Sequence, residues 1–205
     1  MDVVNALLGE QGSTEIQDEL KRKLHENRII IVNDEISDWL LEECTMFIIL
    51  WNLEDKHIPV DERTPIKLLI DSDGGSPVVA NNILNIIECS ETPVFGIACS
   101  VAASAACSLL IGCHKRYAFK HSVGLIHDGF LGVQQTNRKA KDTMKFFDKI
   151  DEITKNLILT RTNIDENEYE ENKDREQYFI GQELKDKGIV DGIIGIDIKM
   201  EELFK

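Results

Sequence analysis

The chain has 205 residues, 42% of them hydrophobic and 29% charged, with a formal net charge of −14. That length suits a single α/β domain with one core, and the acidic excess argues against a nucleic-acid-binding surface. No apolar run reaches the length needed to cross a bilayer, so the expectation is a cytoplasmic protein without a membrane partner.

In chain order, Met1 to Gln11 is acidic and is not read as a secretory signal. Leu7, Leu8, Ile16, Leu20 and Leu24 recur about once per helical turn. Gly9 to Thr14 interrupts them, so residues 1–27 read as a loose arm followed by a helix from about Thr14 to Glu26. Arg28 to Val32 is a β-branched strand. Ser37 is a plausible N-cap for a helix over Asp38 to Glu54, whose apolar residues fall on more than one face and predict deep burial. Pro59 to Pro65 is a charged loop. Ile66 to Ile70 is a second buried strand, running into the turn Asp71-Ser72-Asp73-Gly74-Gly75-Ser76-Pro77 and a helix over Val78 to Cys89.

Val94 to Ala98 is a third strand, followed by Cys99-Ser100-Val101-Ala102-Ala103-Ser104-Ala105-Ala106 and a buried helix through Ile111. Short strands follow at Tyr117 to Phe119 and Gly124 to His127. Lys141 to Thr160 is a long amphipathic helix, and Ile164 to Asp174 a charged helical connector. Tyr178 to Ile180 is short and apolar, Gln182 to Lys187 is helical, and Gly192 to Ile198 is a final strand. Alternation of strands and helices predicts parallel pairing with right-handed crossovers in one domain spanning residues 1–205. The five cysteines, Cys44, Cys89, Cys99, Cys107 and Cys113, form no C-x-x-C pair and read as buried reduced thiols. No metal-ligand spacing accompanies them.

In an open α/β sheet the working site lies beyond the carboxyl ends of the strands. Two loops fall there. The paired glycines Gly74 and Gly75 permit close backbone approach, as an ordinary tight turn or as a site that presents N–H groups. Ser104, flanked by alanines, sits where a strand becomes a helix, with helix N–H groups free to face negative charge. His127 ends an apolar strand and is the base that a serine nucleophile would need. Asp128, next in the chain, is expected to point to the opposite face.

Five segments together resemble the proteolytic subunit of the Clp protease, within the Clp/crotonase superfamily. They are Arg28 to Glu54, the Asp71-Ser72-Asp73-Gly74-Gly75-Ser76 turn, Ala102-Ala103-Ser104-Ala105-Ala106, Lys115-Arg116-Tyr117-Ala118 with Leu125-Ile126-His127, and Gly188-Ile189-Val190-Asp191. The resemblance runs from Arg28 to about Ile196. It implies a ClpP/crotonase-like superhelix of βαβ units with a protruding helical handle over about 130–173. It implies a serine endopeptidase acting on peptides or unfolded proteins inside an oligomeric chamber of heptameric rings stacked as a tetradecamer, with a Clp-type ATPase as partner and no metal or organic cofactor. Carried over by position, Ser104 is the nucleophile, His127 the general base, and the N–H groups of Gly75 and Ala105 the oxyanion hole. Phe146, Phe147, Ile150 and Ile153 of the handle would pack between subunits.

The third triad position falls on Glu176 in Arg175-Glu176-Gln177-Tyr178, where the family usually has aspartate. Asp174, two residues earlier and on the same face of an extended segment, is the alternative. Asp73, Ala106, Asp128 and Gly129 also depart from the family pattern. Three other readings stay open: a catalytically impaired structural paralogue of a Clp ring, a Clp-like peptidase working without an ATPase, and a crotonase-type enzyme for acyl-thioesters.

Overall fold

A computed structural model describes residues 16–129 and 136–204. Leu7, Leu8 and the Gly9 to Thr14 break of the expected arm, and the first part of the expected handle at 130–135, lie outside the described residues. Helix α1 covers 16–26 and precedes β1 (Ile29–Val32), α2 (Asp38–Glu54) and a short 3₁₀ turn (Val60–Glu62). Then come β2 (Ile66–Ser72), α3 (Pro77–Cys89), β3 (Val94–Ala103), α4 (Ala105–Gly112), β4 (Lys115–Phe119) and β5 (Val123–Ile126). The chain closes with α5 (Asn137–Arg161), α6 (Glu166–Asn172), β6 (Gln177–Ile180), α7 (Gln182–Asp186), β7 (Gly192–Ile194) and α8 (Met200–Leu203).

The main sheet has the order β1-β2-β3-β4-β7, all parallel. Strands β1, β2 and β3 are near-continuous apolar runs because helices cover one face and the C-terminal segment part of the other. The core joins Ile30, Leu68 and Ile70 of the sheet to Leu40 and Ile48 of α2, Ile83 and Ile87 of α3, and Leu109 and Leu110 of α4. Strand β3 is longer than its apolar run predicts. Its first half pairs β4 at Phe95–Ala98, and its second half pairs β5 at Val101–Ala103. The small residues Ala98, Ala102 and Ala103 let the strand continue past β4 with its backbone closely covered.

Three expectations are corrected. Helix α2 is not deeply buried: Leu40, Cys44, Ile48 and Trp51 are buried in the core and Leu41 and Phe47 pack partly against it, while Met46 and Leu53 are 65% and 62% exposed. These positions, at helical spacing, pack on α3 and β1, while Met46, Ile49, Leu50 and Leu53 on the other side stay exposed. The last strand stops at Ile194, because Gly195 takes a positive φ of 86° and the chain turns back to an isolated bridge between Ile194 and Ile198. Cys89 is exposed rather than buried, and Cys99 is half-buried; Cys44, Cys107 and Cys113 are buried as expected.

The sheet also contains one antiparallel pair that alternation did not predict. β6 runs against β5, with Ile126 opposite Gln177 and Val123 opposite Ile180. This pairing carries the Arg175-Glu176 segment back to the end of β5 where His127 lies.

Candidate active site

The loop after β2 is built around missing side chains. A Cβ on Gly75 would lie 2.6 Å from the Ile36 carbonyl oxygen and 2.7 Å from the Ile36 nitrogen. The Ile36–Gly75 bridge uses the Gly74 carbonyl, which accepts from Ile36 N–H at 2.8 Å, and the Ser76 N–H, which donates to Ile36 oxygen at 2.8 Å. It therefore leaves the N–H of Gly75 itself outside the bridge. Ser72 Oγ ties the loop down by donating to the Asp34 carbonyl at 2.6 Å and accepting from Gly74 N–H at 3.1 Å. Ser76 then caps α3, its Oγ accepting from Val79 N–H at 3.3 Å, with Pro77 at the first helical position.

Ser104 is the junction between β3 and α4. Its φ of 54° and ψ of −123° are outside the usual regions for a residue with a Cβ. Such strain persists where the surroundings over-determine it. Here the Ser104 N–H is held by the Leu125 carbonyl at 2.8 Å, and its carbonyl accepts from Ser108 N–H at 3.1 Å. Helix α4 is apolar on all sides, with every residue from Ala105 to Ile111 buried. The N–H of Ala105, at the first position of α4, has no acceptor within the helix.

Ser104, Gly75 and His127 line one cleft of about 340 Å³. Ala105 and Ile111 of α4, Ala80 and Asn81 of α3, and Phe147 and Ile158 of α5 also form its walls. His127 follows the last residue of β5 and is half-buried. Asp128 does not turn away as expected: β5 ends at Ile126, the alternation lapses, and Asp128 lines the same cleft, its N–H donating to the Lys173 carbonyl at 3.3 Å. Burial raises the Asp128 carboxyl above its ordinary value, with Asp174 and Asp151 adding to it. Burial, then Asp148, raises Asp151. Tyr169, in the same wall, is pushed up to about 12 by burial and by Asp128 and Asp151. Cys107, fully buried behind Ser104, is likewise held at about 12 by burial, so its thiol stays protonated.

Among the described residues, no hydrogen bond joins Ser104 Oγ, His127, Glu176 and Asp174. Glu176 is exposed, and its Oε2 accepts from the Tyr178 hydroxyl at 2.7 Å. Asp174 is also exposed and makes itself felt through its charge on Asp128. One step beyond the last β5–β6 pair, Ile126 with Gln177, the two chains continue as His127 and Glu176. Cleft residues that sequence reasoning did not single out are Asn81, Asp151, Thr154 and Tyr169. A signal for two of them was present: Phe147, Asp151, Thr154 and Ile158 form one stripe at helical spacing on α5. Among the described residues, no group of three or more His, Cys, Asp or Glu side chains is placed to hold a metal ion. No helix among them is long and apolar enough to cross a membrane.

A mainly parallel sheet, helices starting from its carboxyl edge, and a strained strand-to-helix serine beside a doubled glycine define a ClpP/crotonase-like α/β protein. Residues 11–197 match the Clp protease family, and the chain belongs to it. It is 26% identical over 185 residues to the ATP-dependent Clp protease proteolytic subunit 2 of Treponema denticola, covering 89% of this chain and 90% of that one. It is 28% identical to proteolytic subunit 1 of Bacillus cereus, covering 84% of this chain and 87% of the relative. Subunit 2 of Bacillus licheniformis is 24% identical, with 95% of this chain and all of the relative covered. Family membership supports a Clp-type peptidase, a hydrolase of peptide bonds.

Proposed function

We propose that the protein is a serine endopeptidase that hydrolyses peptides or unfolded proteins, with Ser104 as nucleophile and His127 as general base. The observation that carries this reading is Ser104 itself: a strained serine at a helix N-terminus, sharing one cleft with Gly75 and His127. Ser104 Oγ attacks the peptide carbonyl carbon while His127 takes its proton. The oxyanion is held by the N–H groups of Gly75 and Ala105, which are free of strand and helix partners; losing one such donor costs about 3 kcal/mol of transition-state stabilisation. His127 then gives its proton to the leaving amine, and water hydrolyses the acyl-enzyme. Glu176 is assigned to orient His127. The β5–β6 register that sets Ile126 opposite Gln177 continues to His127 and Glu176, and triad contacts often tighten only with substrate bound.

The relatives named as subunits of an ATP-dependent Clp protease favour a homo-oligomer fed by a Clp-type ATPase, and the heptameric ring stacked as a tetradecamer is what resemblance to the family implies. Phe146 and Ile153, on one face of α5, are about half exposed and supply an apolar surface for such contact. The test is covalent labelling with a fluorophosphonate, read by intact mass. One adduct on the wild-type protein and none on Ser104→Ala is expected; an adduct that survives the substitution overturns the reading. A second reading, a ring subunit without activity of its own, is favoured by the Glu176–Tyr178 hydrogen bond. It predicts labelling only after a second, different subunit is added.

A further inference from the structure

A second, shallow cleft lies at the opposite edge of the sheet from Ser104, where β4 and β7 begin side by side. It holds polar groups that neither the fold nor the proposed chemistry uses. Tyr117 of β4 is the buried side chain among those that line it, only 9% exposed. Phe95 meets its ring edge-on at 5.9 Å between centroids. Gly192, opposite it in β7, makes room, since a Cβ there would lie 3.6 Å from the ring. The Tyr117 hydroxyl makes no hydrogen bond among the described residues. It is not sealed off, because the buried side-chain polar atoms there that lack both solvent and partner are Thr45 Oγ1 and Asn81 Nδ2. Burial, then Asp191, raises the phenol above its ordinary value, so it stays a donor. His114 Nδ1 accepts from the Val94 N–H at 2.9 Å, which leaves the proton of the neutral ring on Nε2. Burial, then Arg161, lowers His114 below its ordinary value and keeps it neutral. Lys115 and Glu202, on the same cleft, have no side-chain partner among the described residues. The other two acids are already matched. Asp191 accepts from Arg116 Nη2 at 2.6 Å, and Asp197 from Lys185 Nζ at 2.5 Å and the Ile193 N–H at 2.8 Å.

We infer that this cleft binds a free α-amino acid, its carboxylate taken by Tyr117, His114 and Lys115 and its ammonium by Glu202. The inference is independent of Ser104 and its chemistry. The unmatched groups are three donors and one acceptor, and a carboxylate can accept from all three donors at once. Hydrogen bonds to an ionised acceptor are the stronger kind. A carboxylate without an ammonium would satisfy the donors but leave Glu202 unmatched beside a like charge. An amine without a carboxylate would satisfy Glu202 and leave the Tyr117 hydroxyl and the His114 Nε2–H without an acceptor. A ligand that carries both charges on adjacent atoms answers both sets. A metal ion does not, because no group of three or more His, Cys, Asp or Glu side chains among the described residues is placed to hold one. Ile198 is half-buried on the same cleft and offers an apolar surface to the ligand's side chain.

The experiment is isothermal titration calorimetry on the full chain with three probes. They are L-leucine, its methyl ester, in which the carboxylate is masked, and N-acetyl-L-leucine, in which the ammonium is masked. Leucine is expected to bind saturably with a Kd of about 1 mM or below, and each masked form about tenfold or more weakly. Tyr117→Phe removes a hydroxyl that the fold does not use, so it should weaken leucine binding about tenfold at an unchanged melting temperature. Glu202→Gln, an exposed change on α8, should weaken the binding of leucine and not that of N-acetyl-L-leucine. Both variants should keep the fluorophosphonate labelling of wild type, since neither touches the Ser104 cleft. No saturable binding of leucine, a masked form that binds as tightly as leucine, or a leucine affinity unchanged in either variant would overturn the inference. An affinity unchanged in the variants would place bound leucine elsewhere on the protein.

Discussion

A Cβ placed on Gly74 would lie 2.9 Å from the Cβ of Ser104 and 2.7 Å from the carbonyl oxygen of Ala103. The glycine loop and the serine elbow thus fix each other, and Gly74 takes a φ of 104° that side chains resist. Gly74→Ala is therefore expected to cost about 2 kcal/mol or more in stability and to lower fluorophosphonate labelling at Ser104. Denaturant melts and labelling rates measured on the same preparation check both.

Strain at Ser104 gives a stability change opposite in sign to the activity change. Its φ of 54° suits glycine, and its Oγ has no hydrogen bond to lose among the described residues. Ser104→Gly should abolish labelling yet stabilise the fold by about 1 kcal/mol, the relief of strain exceeding the added chain entropy of glycine. A melting temperature about 2–4 °C above wild type is the expected reading. A drop would mean that the backbone is not strained there.

The start of β1 is pinned by a buried ion pair. Arg28, itself at a φ of 57°, donates from Nη2 to Asp55 Oδ1 at 2.7 Å, and the Thr92 hydroxyl donates to Asp55 Oδ2 at 2.9 Å. Removing the carboxylate by Asp55→Ala leaves the guanidinium only Glu54 at 3.9 Å and the Thr64 carbonyl and should cost about 3 kcal/mol. Arg28, foremost among its neighbours, holds the Asp55 carboxyl below its ordinary value of 3.8. A depressed acid contributes stability that is full above the unfolded value and is lost as pH falls through the folded one. The advantage of wild type over Asp55→Asn should therefore be constant above about pH 5 and shrink below it, as chemical denaturation across pH would show.

Glu176 is tested against its competitor by kinetics. Glu176→Gln should lower kcat by about 10²–10⁴-fold with little change in KM, as expected for a group that orients a catalytic histidine. A loss confined to Asp174→Asn would move that role to Asp174. Tyr178→Phe, which frees the Glu176 carboxylate from its 2.7 Å hydrogen bond, should raise kcat.

Charges placed on the exposed apolar face of α5 should disrupt assembly without unfolding the subunit. Phe146 and Ile153 are 46% and 51% exposed, so Phe146→Glu and Ile153→Glu leave the core intact. Light scattering should show a shift from the largest assembly to smaller species at unchanged helical content. An unchanged mass for both variants would place the contact elsewhere.

Much of the site could be read before any coordinates. Alanines around Ser104 pointed to a tight strand-to-helix turn, the doubled glycine to a close backbone approach, and the apolar run before His127 to a strand ending at the site. Helix and strand periods are local properties, and these segments show them strongly. The depth of α2 is not legible in its sequence, because apolar residues on a helix do not say how many sides the rest of the chain covers. Asp128 lines the cleft because strand alternation ends with the ladder at Ile126.

The sequence by itself determined the order of strands and helices, the elbow at Ser104 and the family to which the chain belongs. Only the tertiary structure decided that β6 returns antiparallel to β5, that the Gly75 loop pairs with Ile36, and that the Asn81 amide nitrogen is buried without a partner among the described residues. The physical reason is separation along the chain. Propensity and periodicity act over neighbouring residues, whereas the pairing of Ile126 with Gln177, or of Ile36 with Gly75, depends on backbone fit and on side chains that are absent. Whether a buried amide is satisfied can be known only when everything packed around it is in place.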